Sequence, residues 1–247
     1  MQKAIKLNKR LVHAWLALGH VLAAQEEGEH AISAFRTASR LLPGDHRPLM
    51  FMARELLRTN YLSLALHLLF GALRLRPDDP AVLNELGVVY LKQDRLDEAL
   101  EHLLLAVNVT QSSADENGPA GSCGAGGTAG GKVLGDQVFS NYATALRRAK
   151  RYDEALHWYQ LCLSVNPSDA HTHAHVGFTL HLLQRYNDAI NAYHKALALQ
   201  PTFSFCSDML LRAMQDYQAE PAFVADGQGS LPAHLAWDDS QWQDGSR

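Results

Sequence analysis

Thirteen histidines and three cysteines are the residues of this 247-residue chain best suited to chemistry. His171, His173 and His175 alternate. On a helix His171 and His175 share a face and could chelate a metal. That face carries neither Asp nor Glu, so the site lacks a third ligand and stays incomplete. Cys123, Cys162 and Cys206 are odd in number and show no CxxC spacing. They build neither a zinc cluster nor a disulfide framework, and they point to a reducing compartment. Two glycine motifs overlap: Gly124 to Ala129 reads G-x-G-x-x-A, and Gly126 to Lys132 reads G-x-x-x-x-G-K. Val133 stands where a phosphate loop needs Ser or Thr, and the preceding segment reads as helix rather than strand, so low-complexity glycine is the reading. Neither a Ser-His-Asp order nor paired carboxylates recur outside solvated helix faces. Asn108-Val-Thr matches a glycosylation acceptor but lies late in a helix. These residues offer no active site and no cofactor, so function is expected to lie in surfaces.

The elements that carry such surfaces follow from composition and period. Hydrophobic residues make up 47% and charged residues 19%, which excludes a fibrous or disordered bulk. A net charge of -4 and a pI near 6.3 argue against a general nucleic-acid binder. The longest apolar stretch, Leu62 to Leu73, is broken by His67 and is too short to cross a bilayer. Lys3, Lys6, Lys9 and Arg10 precede an apolar run from Leu11 to Ala24, a loose likeness to a signal peptide. Two histidines interrupt that run, and a repeat explains it better.

Pro43 and Pro77 are 34 residues apart, and so are Pro167 and Pro201. Placing each proline at position 32 gives units starting at Val12, His46, Asp136 and Ala170, with one more at Pro80 in phase with the first two. Position 8 is then Gly19, Ala53, Gly87, Ala143 and Gly177. Position 20 is alanine in all five units, position 27 is alanine or Cys162, and position 24 is Phe35, Leu69, Leu103, Tyr159 and Tyr193. Small residues at 8, 20 and 27 let two antiparallel helices approach, and large ones at 4, 7, 11 and 24 fill the space between them. Turn signals fall between the halves at Gly28, Asn60, Gln93-Asp94 and Gln184-Arg185, and the proline stops the second helix. These columns resemble the tetratricopeptide repeat. The fold class expected is all-α, a right-handed α-solenoid of such helix pairs.

The boundaries expected are a remnant helix over 1–11, three repeats over 12–113, and a flexible Gly-rich insertion over 114–135. Two repeats over 136–203, a capping helix over 204–217 and a disordered tail over 218–247 follow. The half unit at the start suggests a fragment or truncated form of a longer repeat protein. The insertion holds eight of the seventeen glycines, and the tail carries Trp237 and Trp242 among acidic residues.

In repeats of this kind the first helix lines the concave face through positions 2, 5, 9, 12 and 13. Those columns hold Arg47, Arg54, Arg58, Lys92, Arg147 and Arg148 and no acid, with Asn84 and Phe178 among them. Like charges gathered in a concavity focus a field, so these eight residues form the expected partner groove, its cations outside the core. The lysine and asparagine positions with which some co-chaperones of the family clamp a terminal carboxylate are not matched. Finer resemblance lies in His13-Ala-Trp-Leu-Ala-Leu-Gly-His, Gly28-Glu-His-Ala-Ile-Ser-Ala-Phe and Leu83-Asn-Glu-Leu-Gly-Val-Val. These words are similar to the C-terminal repeats of the cell-division-cycle-sixteen family of anaphase-promoting-complex subunits. That resemblance implies a non-catalytic scaffold in nucleus and cytoplasm that contacts other subunits, including a small peptide-like one held in the groove, with neither nucleic acid nor membrane as partner. Homodimerisation belongs to N-terminal repeats that this chain lacks and is not carried over. A generic adaptor or co-chaperone, or the repeat arm of a larger enzyme, is the alternative.

Overall fold

The computed structural model describes residues 11–115 and 129–219. The remnant helix expected over 1–11, the middle of the insertion with both glycine motifs, and the tail beyond 219 lie wholly or mainly outside these residues. The described residues form eleven helices and no strand. They are α1 (Val12–Ala24), α2 (Gly28–Leu41), α3 (Arg47–Arg58), α4 (Leu62–Leu75), α5 (Pro80–Lys92) and α6 (Leu96–Asp115), then α7 (Ala129–Arg148), α8 (Tyr152–Val165), α9 (Ala170–Leu182), α10 (Tyr186–Leu199) and α11 (Ser204–Ala219). Helix extends into both ends of the 114–135 segment, because α6 runs to Asp115 and α7 begins at Ala129.

The chain divides into two compact units after Asn141. In the N-terminal unit α1 packs on α2, α3 on α4 and α5 on α6, and each pair packs on the next. In the C-terminal unit α9 packs on α8 and α10, and α11 packs on α10. The small-residue columns lie at the centre of every pair. Ala31, Ala65, Ala99, Ala155 and Ala189 have no exposed surface, and Phe35, Leu69, Leu103, Tyr159 and Tyr193 are buried against them. A Cβ added at Gly19 would run into the Phe35 ring, one at Gly87 into Leu103, and one at Gly177 into Tyr193 at 2.8 Å.

The turn between paired helices is the same in all five repeats. Glu26, Asn60, Asp94, Lys150 and Gln184 adopt positive φ near 60°, each at position 15. The next residue donates its N–H back to the carbonyl five residues earlier, as Glu27 does to Leu22 at 2.9 Å and Arg185 to Leu180 at 3.0 Å. The positive-φ residue itself donates to the carbonyl three residues back, which completes a Schellman motif without glycine. Gly28, taken from sequence as the first turn signal, is instead the first residue of α2; Glu26 makes the turn. Two helix starts, those of α5 and α9, are set by acids: Asp79 Oδ1 accepts from Ala81 N at 2.8 Å with Pro80 in the first turn, and Asp169 Oδ1 accepts from His171 N at 3.1 Å.

Gly87→Ala and Gly177→Ala should each lower stability by about 1–3 kcal/mol, because the added methyl overpacks the pair. Gly71→Ala meets its nearest neighbour, Leu49 Cδ1, at 3.5 Å and has room. It should raise stability by roughly 0.5–1 kcal/mol through helix propensity alone. Chemical denaturation of the three variants checks the opposite signs.

Candidate functional site

Five of the eight expected groove residues, Arg47, Arg54, Arg58, Asn84 and Lys92, lie on α3 and α5 of the N-terminal unit. The structure gives three of the arginines carboxylate partners. Arg47 Nη2 donates to Asp45 Oδ2 at 2.7 Å, and Arg54 Nη2 donates to Glu85 Oε1 at 2.6 Å across the α3–α5 contact. Arg58 Nη1 donates to the carbonyl of Ala23 on α1 at 3.0 Å and to Glu55 Oε2 at 3.2 Å. The acids are buried while the arginine side chains stay nearly half exposed. The Arg47 guanidinium holds the Asp45 carboxyl below the usual carboxylate range, mainly through the side-chain hydrogen bond.

This corrects the expectation of a stripe of cations without acids. Asp45, Glu55 and Glu85 occupy positions 34, 10 and 6, outside the five concave columns, yet their side chains reach the arginines. Asn84 is buried too, and its Oδ1 accepts from Asn141 Nδ2 at 2.9 Å, so this amide oxygen ties α5 to α7. Lys92 is half-buried at the end of α5, and burial lowers its ammonium pKa.

Around these pairs the N-terminal unit adds His46, which lies outside the concave columns, and His20, which occupies position 9 among them. His46 sits between two carboxylates: its Nε2 hydrogen-bonds Asp79 Oδ2, and its Nδ1 lies 3.9 Å from Asp45 Oδ1. His20 is exposed, with its ring edge-on to Phe51 at 4.3 Å and to Phe35 at 5.4 Å. Partial desolvation of the ring, and secondarily Arg54, lowers its pKa below the ordinary histidine value. The surface is thus an aromatic step beside half-exposed guanidinium heads whose charge is largely balanced. It can donate hydrogen bonds to main-chain or side-chain oxygens of an extended partner without presenting a strong positive field.

The other three residues, Arg147, Arg148 and Phe178, belong to the C-terminal unit. Arg147 is only 4% exposed and lies over the Phe178 ring at 4.9 Å from its centroid. It is therefore a core residue, contrary to the expectation that it stands outside the core. Phe178 is buried in the cluster formed by α8 to α11, and Arg148 is half-buried. His175 stacks flat on Tyr159 at 5.3 Å, while His171 lies against Phe203 at 4.8 Å. The two histidines are thus committed to packing. Burial first, then Arg147 and His171, pushes the His175 pKa down to about 3.

Three models of the tetratricopeptide repeat match residues 52–119, 137–169 and 171–202, together more than half of the chain. The chain belongs to the tetratricopeptide-repeat family, and its fold class is the α-solenoid of that family. Within it, the chain is a relative of the subunit 6, or cell division cycle 16, proteins of the anaphase-promoting complex. Anaphase-promoting complex subunit 6 of Arabidopsis thaliana is 32% identical over 214 residues, covering 87% of this chain and 36% of that protein. Cell division cycle protein 16 homolog of Homo sapiens is 28% identical over 220 residues, 88% of this chain and 33% of its own length. The chain therefore spans about a third of the length of these relatives. The crystal structure of the APC/C hetero-tetramer Cut9-Hcn1 matches 86% of this chain and 38% of the compared chain, with a TM-score of 0.75 at 26% identity.

Two measurements test the geometry. Arg54→Ala leaves the Glu85 carboxylate buried without its ion pair and should cost about 1–3 kcal/mol; adding Glu85→Gln should recover most of that loss, which a double-mutant cycle reads directly. His175 stays neutral in the fold, whereas an unfolded histidine titrates near pH 6.5. The stability that this difference adds is fully present above about pH 6.5 and falls as pH is lowered toward 3, by up to about 1.4 kcal/mol per pH unit. His175→Phe keeps the stack on Tyr159 and should flatten the melting-temperature profile between pH 6.5 and 4 relative to the parent.

Proposed function

We propose that the chain is a non-catalytic scaffold segment of the anaphase-promoting complex, acting in cell-cycle control by holding protein partners on its first helices. The observation that supports this most is the breadth of the likeness: subunit 6 and cell division cycle 16 proteins from amoeba, animal, plant and yeasts each align with more than 80% of the chain. The similar Cut9 chain forms a hetero-tetramer with Hcn1. By analogy the partners here are other subunits of the complex, among them a small peptide-like subunit lying along α3 and α5. The chemistry on that surface fits such a ligand. Arg54 and Arg58 keep exposed N–H donors, held in place by Glu85 and Glu55, and His20 and Phe51 add an apolar step. A preorganised donor loses little rotamer freedom when a partner arrives. Placement in nucleus and cytoplasm follows from the same reading, and nucleic acid and membrane are not among its partners. No described helix is long and apolar enough to cross a membrane.

The test separates partner binding from folding. Exchanging the pair as Arg54→Glu with Glu85→Arg keeps an ion pair in place but reverses the charge at the exposed head. Affinity purification from dividing cells should recover ligase subunits with the parent and at least tenfold less of the small subunit with the exchanged variant, at unchanged helicity. Recovery of chaperones in place of ligase subunits by the parent would favour the generic adaptor. Equal recovery of the small subunit by parent and variant would remove the α3–α5 surface from the partner site.

A further inference from the structure

Every described repeat closes in the same way, and α11 does not. In phase with the five repeats, Ser204 is position 1 of a sixth unit, which makes Leu211 position 8, Met214 position 11 and Gln218 position 15. At position 15 the other five first helices turn with positive φ. Gln218 instead remains within α11, which runs to Ala219 without a turn. At position 8 the other five units carry Gly or Ala beneath a large residue of the second helix. Leu211 breaks that column, and the residue at position 24 would be Gly227, so large and small are interchanged. The face of α11 on which a second helix would lie is therefore open over its described length. Leu211 is 59% exposed, Met214 42% and Tyr217 47%. The opposite face is closed on α10 by Cys206, Met209 and Ala213.

We propose that residues 231–242 of this chain cover the open face of α11. Three observations choose this occupant. The face is small, essentially three side chains spread over about 9 Å of helix at 1.5 Å per residue. It falls far short of the roughly 1,200 Å² that a specific interface between separate proteins buries. A tethered segment needs no such area, because a short linker supplies an effective concentration on the order of millimolar. The chain continues for 28 residues past Ala219; its large apolar residues are Phe223 and Val224 close behind α11 and then Leu231, Leu235, Trp237 and Trp242, which include both tryptophans. Pro221 comes two residues after Ala219, while Gly227 and Gly229 lie between α11 and Leu231. Proline ends a helix and glycine permits a reversal, so the chain can fold back within the available length. The segment caps the last hydrophobic layer in place of the helix that the interchanged columns no longer accommodate. This inference is independent of the partner surface on α3 and α5.

The experiment is fluorine NMR of the full chain labelled with 5-fluorotryptophan. Its four resonances are assigned through Trp→Phe variants, and a labelled peptide of residues 220–247 serves as the free reference. In the parent, the Trp237 or Trp242 resonance should lie away from its peptide position and resist a soluble paramagnetic agent. In the double variant Leu211→Glu with Met214→Glu it should return to the peptide position, while Trp15 and Trp158 keep their parent shifts and report an intact fold. Peptide-like positions for both tail resonances in the parent would overturn the proposal without recourse to any variant. A shifted resonance that ignores the double change would place the segment elsewhere, and one whose shift depends on protein concentration would assign the face to a second copy. Both of these results would also overturn it.

Discussion

The contact between position 8 of one helix and position 24 of its mate sets the spacing on which all five repeats depend. Where glycine occupies position 8, the ring or isobutyl group opposite sits so close that a methyl cannot be inserted. Close approach at this point brings the flanking alanines at positions 20 and 27 into the interior with no exposed surface. Interiors of such density tolerate little change in volume. The choice of Phe35, Leu103 or Tyr193 opposite the glycine thus constrains helix separation, and separation fixes which neighbouring side chains can reach one another. The Arg54–Glu85 bridge, whose ends are 31 positions apart in the chain, exists because α3 and α5 are held at that distance.

The second constraint is the turn at position 15. Its Schellman bonds satisfy carbonyls at the end of each first helix, and they are made by Glu, Asn, Asp, Lys and Gln rather than by glycine. A non-glycine residue in that conformation stores of order 1–3 kcal/mol of strain. The repeat accepts the strain because the helices on either side over-determine the path. Where the packing columns fail, as at Leu211, the turn disappears as well, and α11 continues through the position at which its predecessors reverse. Turn and column therefore behave as one device.

Much of this was legible in the sequence because a 34-residue period repeats the same physical problem five times. The helix pair of each unit, the buried alanines and the large residue at position 24 were readable from the columns alone, whereas the start of α2 at Gly28 and the early start of α7 at Ala129 were not. The chemistry of the surface was not, for a geometric reason. Side chains at positions 6, 10 and 34 were set aside as outside the concave columns, yet glutamate and aspartate are long enough to reach arginines on the same or the adjacent helix. Arg147 occupies position 12, as Leu57 and Leu91 do, and all three are buried. Its burial follows the column rather than its charge, so a reading by residue type placed it in solvent. The Leu57 and Leu91 column carried that signal. His175 was read from sequence as half of an incomplete metal site, but its partner ring on Tyr159 was not legible there, because the spacing from His171 carries no sign of that stack.

The balanced charges change the physics expected of the N-terminal surface. A bare row of arginines would act at a distance, drawing in acidic ligands at a rate that falls with salt. Arginines held by buried carboxylates have a short-ranged field and act mainly on contact. The carboxylates nevertheless have a use: each removes rotamer freedom from a long side chain and aims its remaining N–H groups outward. Arg58 shows this most fully, since Glu55 and the Ala23 carbonyl grip the same Nη1, which fixes the guanidinium relative to both α1 and α3. In the proposed scaffold role, such a surface would select by the position of hydrogen-bond acceptors along an extended chain, with Phe51 and His20 setting the register through shape. In that role, discrimination would come from donors that binding buries and a wrong sequence leaves unpaired, a penalty of about 1–3 kcal/mol for each donor. Long-range attraction would contribute little to that choice, in keeping with the chain's negative net charge.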